Sequence, residues 1–77
     1  MTTEKLKDSP AFRSLYERLR RATLAEINAV DRREAKYYAN IADELAAAIT
    51  GLAGGADYYW RMRVVEEINR GRGKKII

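Results

Sequence analysis

The sequence predicts an all-α fold: one long amphipathic helix over residues 10–50, a glycine-rich turn, and a shorter helix over residues 57–70. Three observations carry this. With Phe12 set at zero and an advance of about 100° per residue, Leu15, Tyr16, Leu19, Thr23, Ile27, Val30, Tyr37, Ile41, Leu45, Ala48 and Leu52 all fall within about 60° of it. No glycine or proline interrupts the stretch from Ala11 to Thr50. Gly51, Gly54 and Gly55 then gather where the pattern breaks.

Residues 1–8 form a polar lead with alternating charges, expected to be irregular. Ser9-Pro10 is a helix start: serine can accept from a first-turn N–H, and proline at the first helical position loses no bond. Glu17 and Arg21 form an i,i+4 pair in the favourable order. Asn28 to Glu34 allows two readings. Asp31 and Glu34 could form a capping box that starts a new helix, which gives a monomeric three-helix bundle. The unbroken apolar phase favours a continuous helix instead. Such a helix would be about 65 Å long and could not bury its seam inside one small chain, so it implies self-association, a dimer first.

The turn is expected over residues 50–56, with Gly51 as a left-handed C-cap and Leu52 making its hydrophobic contact. The pattern of a phosphate-binding loop, with its lysine and preceding strand, is missing. Asp57 can cap the second helix. Residues 58–65 also alternate as a strand would, but Glu66-Glu67-Ile68-Asn69-Arg70 favours helix. Gly71 is a natural stop, leaving a basic tail over residues 71–77.

A chain of 77 residues makes one domain, and at this size folding buries only about 60–65% of the unfolded surface, so the margin of stability is small. There is no cysteine and no histidine, so disulfides, thiolate nucleophiles and the usual zinc ligands are missing. No cofactor or metal is expected. No signal peptide and no apolar run of about 20 residues is present, which points to a cytoplasmic protein outside the membrane. The net charge is +4. Residues 1–60 carry nine basic and nine acidic side chains, and the excess lies in Arg61, Arg63, Arg70, Arg72, Lys74 and Lys75 against Glu66 and Glu67.

Catalysis is not expected. Asp43-Glu44 and Glu66-Glu67 are helix neighbours about 100° apart, so neither pair converges on one atom. The chain reads as a protein-interaction module: an adaptor, inhibitor or assembly subunit. Its oligomer seam is Phe12, Leu15, Tyr16, Leu19, Ile27, Val30, Tyr37, Ile41 and Leu45. It would engage its partner through the C-terminal tail and a cluster of Tyr58, Tyr59, Trp60, Arg61, Met62 and Arg63, residue types enriched at interfaces and their hot spots. The plainer alternative is that Tyr58 and Trp60 simply cover the seam. The second functional reading is a small nucleic-acid-binding protein. It would contact phosphates through Arg70, Arg72, Lys74 and Lys75, and through Arg18, Arg21, Arg32 and Lys36, which share one face of a continuous helix opposite the seam.

Overall fold

Helix α1, Pro10–Ile27, starts as its sequence dictates. The Phe12 N–H donates to the Ser9 hydroxyl at 3.4 Å, and Pro10 fills a first-turn position. In this computed structural model the backbone is described over residues 9–76 and the side chains over residues 9–71; the polar lead 1–8 and Ile77 lie outside the described residues.

The expected continuous helix is corrected here. The Asn28 N–H donates to the Leu24 carbonyl at 3.0 Å and the Ala29 N–H to the Glu26 carbonyl at 3.2 Å, closing α1. Asp31 is extended, and its carboxylate accepts from the Glu34 N–H at 2.8 Å, opening α2, Arg32–Ala53. The caps satisfy much of what the interruption frees. The gain is apolar burial. Folding at residues 28–31 brings one stripe of each helix together, so Phe12, Leu19 and Ala22 of α1 share a core with Ala42, Leu45, Ala46 and Ile49 of α2, of which only Leu45 belongs to the predicted seam. A lone helix would leave that surface in water.

Helix α2 also ends later than expected. Gly51 lies inside it, and Gly54 is its cap, with φ 86° and ψ −170° and its N–H donating to the Thr50 carbonyl at 2.8 Å. Gly55 likewise has φ 86°, and among the described residues these two alone have positive φ. The turn is therefore residues 54–56, not 50–56, and it falls where the backbone conformation excludes other side chains.

Helix α3, Asp57–Ile76, is helix rather than strand. Trp60, Val64 and Ile68 repeat every four residues and are buried in the core. The helix runs on through Gly71 and Gly73 instead of stopping, so residues 71–76 are not an irregular tail. Glycine lowers helix propensity by about 1 kcal/mol against alanine but does not forbid the helix; glycine caps a helix by turning left-handed, and Gly71 does not.

All three elements are helices, with no strand among the described residues. The hairpin of α1 and α2 is the most extensive packing, with α3 laid on it. The molecule measures 38 × 32 × 19 Å, which is thin for its breadth. No described helix is long and apolar enough to cross a membrane.

Candidate interaction site on α3

One helical turn sends the residues of the Tyr58–Arg63 cluster in three directions, because neighbours are about 100° apart. Trp60 points inward and is only 5% exposed. Its indole Nε1–H donates to the Gly54 carbonyl at 2.9 Å, and its ring meets Phe12 edge-on with centroids 5.6 Å apart. This places Trp60 in the core, where it docks the start of α3 against α1 and the turn.

Arg61 is tied to both other helices. Its two terminal nitrogens donate at 2.6 Å each to the Glu26 carboxylate of α1 and the Asp43 carboxylate of α2. All three side chains keep some contact with water, so each bridge contributes about 1 kcal/mol or less. The Nε–H is buried with no acceptor among the described residues. Separations of 35 and 18 residues leave no local signal for this arrangement in the sequence.

Tyr58 and Met62 point outward, one turn apart, and Tyr58 is 74% exposed. With Val65 they line an open groove of about 410 Å³, whose other walls are Asp43, Asp57 and Arg61. Tyr59 and Arg63 share a different side. The Arg63 guanidinium donates to the Tyr59 hydroxyl at 3.3 Å and lies 5.9 Å from the centre of the Trp60 ring. Glu66, Glu67 and Arg70 continue that side. The cluster predicted to bind a partner thus separates into two exposed sides and two residues, Trp60 and Arg61, engaged within the chain.

The seam divides as well. Phe12, Leu19 and Leu45 are buried, and Leu15, Tyr16 and Ile41 pack against the core from its edge. Ile27, Val30 and Tyr37 stay exposed. The basic face predicted for a continuous helix does not form. Arg18 and Arg21 border a groove between α1 and α2 with Tyr38, Ile41 and Leu45. Arg32 and Lys36 fall about 180° and 140° around α2 from Ile41, away from that groove. Arg70 is exposed, 4.0 Å from Glu66, and the side chains of Arg72, Lys74 and Lys75 lie outside those described. Among the described residues no acidic cluster is arranged to hold a metal ion.

Among the described residues Tyr16 has the one clearly shifted titration. Its hydroxyl has no hydrogen-bond acceptor among the described residues. Burial first, then the nearby Glu67 carboxylate, pushes it from 10.0 up to about 12, with Arg63 pulling slightly the other way. The folded state therefore holds this proton more tightly than the unfolded chain. Its contribution is complete below pH 10 and is lost as the pH rises toward about 12. The urea midpoint of the wild type should stay level up to about pH 9 and fall above pH 10, and Tyr16→Phe should fall less. Equal falls in the two proteins would show that another group is responsible.

The chain matches no protein family, no curated protein and no solved structure at a significant level.

Proposed function

We propose that this chain is a non-enzymatic interaction module, an adaptor, inhibitor or assembly subunit, whose protein partner docks on the outer side of α3. One observation carries the reading. Tyr58 and Met62, two residue types enriched at protein interfaces, stand exposed on consecutive turns beside Val65. Asp57 at the groove edge, where Asp43 is already paired with Arg61, favours an amphipathic partner helix with a basic flank.

The test compares the wild type with Tyr58→Ala/Met62→Ala as affinity baits in a lysate of the source cells, once the two are shown to melt alike. Proteins bound by the wild type and lost by the variant at about 0.3 M salt support the reading, since an apolar contact tolerates screening. Identical captures refute it. The helical course of residues 70–76 spaces Arg70 and Lys74 one turn apart, which supports the second reading of phosphate contact. Anisotropy of a labelled DNA duplex and single strand, at about 50 and about 200 mM salt, separates the two. Binding that falls steeply with salt would move the function to nucleic acid.

A further inference from the structure

Helix α3 covers only one face of the α1–α2 hairpin. Arg61 reaches Asp43 on that face. Ile41 and Leu45 lie about 160–200° around α2 from Asp43, and Arg21 lies about 140° around α1 from Glu26, so the groove they line with Arg18 opens on the opposite face. Tyr37, Ala48 and Leu52 fall within about 40° of Ile41 on α2 and are exposed, Tyr37 at 62% and Leu52 at 42%. This is the part of the apolar seam that the hairpin leaves unused.

We propose that this free face binds a second copy of the chain, forming a two-fold dimer in which the two hairpins stack as a four-helix layer. The charges at its edges choose the partner. Arg18 on the α1 side and Glu44 on the α2 side take part in no ion pair among the described residues. Arg18 shares the groove with Ile41 and Leu45, so it stands level with Glu44, the residue next to Leu45. A two-fold axis parallel to the helices lays α1 of one copy over α2 of the other at the same level. Arg18 then meets the second copy's Glu44, and the symmetry repeats the contact. An axis across the helices would instead put α1 over α1, with arginines facing arginines.

The area sets the size class of the contact. A face about 27 Å long and about 20 Å wide buries on the order of 500 Å² per copy. The total of about 1,000 Å² lies at the lower edge of specific interfaces, which fits a dissociation constant in the micromolar range.

Sedimentation equilibrium of the full chain, from about 10 µM to about 1 mM, tests this. The wild type should pass from monomer to dimer over that range. Ala48→Lys changes an exposed residue in the middle of the face and should keep the melting curve but abolish the dimer. Arg18→Glu should weaken the dimer about tenfold or more, and Arg18→Glu/Glu44→Arg should restore it. Tyr58→Ala/Met62→Ala should leave the dimer unchanged, which keeps this surface separate from the partner site on α3. A wild type that stays monomeric throughout overturns the proposal. So does a dimer indifferent to Ala48→Lys, or a charge reversal that the second reversal fails to rescue.

Discussion

Trp60→Ala is expected to lower the unfolding free energy by about 3–5 kcal/mol, read from urea denaturation followed by circular dichroism. Three losses combine. The indole surface leaves a cavity beside Phe12, the edge-on ring contact disappears, and the Gly54 carbonyl loses the donor 2.9 Å away. A domain of 77 residues has a total stability on the order of 4–12 kcal/mol. The variant should therefore lose about a quarter or more of its stability, with α3 detaching first. Trp60→Phe keeps most of the volume and loses the hydrogen bond, so it should cost about 1–2 kcal/mol. A cost below about 1 kcal/mol for the alanine variant would mean that α3 is held by something else.

The second large effect comes from Ile49→Asp. Ile49 has no exposed surface, and it lies with Ala46 and Leu45 in the shared core. A carboxylate there has no cationic partner and would cost several kcal/mol, enough to unfold the monomer. Ile41→Asp is the instructive contrast. Ile41 is about 80° around the helix from Ile49 and only edges the core, so the charge can reach water. That variant should lose about 1–2 kcal/mol and remain helical. Circular dichroism at 222 nm separates the two. Equal unfolding by both substitutions would show that the two sides of α2 are buried alike.

Helix ends were legible wherever a side chain acts on its own neighbourhood. Ser9-Pro10 and the Asp31–Glu34 pair both operate within one turn, and both stand where the residues place them. The unbroken apolar phase across residues 28–31 misled because it is ambiguous in principle. A loop resets the rotation of the helix that follows it, so two packed helices can carry any phase relation, and the buried stripe of α2 (Ala42, Leu45, Ala46, Ile49) centres about 110° from the seam. Gly51 against Gly54 failed for a different reason: residue type tells where a left-handed conformation is allowed, and long-range packing decides where it is used. In this chain the docking of Trp60 against Gly54 and Gly55 makes that choice. A Cβ on Gly55 would stand 3.4 Å from the indole nitrogen. The Tyr58–Arg63 cluster showed its residue types in the sequence but not its orientation. Whether a given aromatic faces in or out depends on which stripe of α3 meets the hairpin, and only the buried repeat of Trp60, Val64 and Ile68 settles that.

The grip of Arg61 on Glu26 and Asp43 also bears on which sequences this fold can tolerate over time. The two carboxylates sit on different helices, and each takes a different nitrogen of one planar group. Lysine carries the same charge as a single compact point on a flexible stem, and it cannot span two such anchors in fixed geometry. Arg63, which rests over a ring and touches one hydroxyl, sits under a looser constraint. Divergent versions of this chain should thus exchange arginine for lysine freely at position 63 and rarely at position 61. Losses at 61 should come together with neutralisation of position 26 or 43, because a vacant guanidinium site leaves two anions facing each other across the helices.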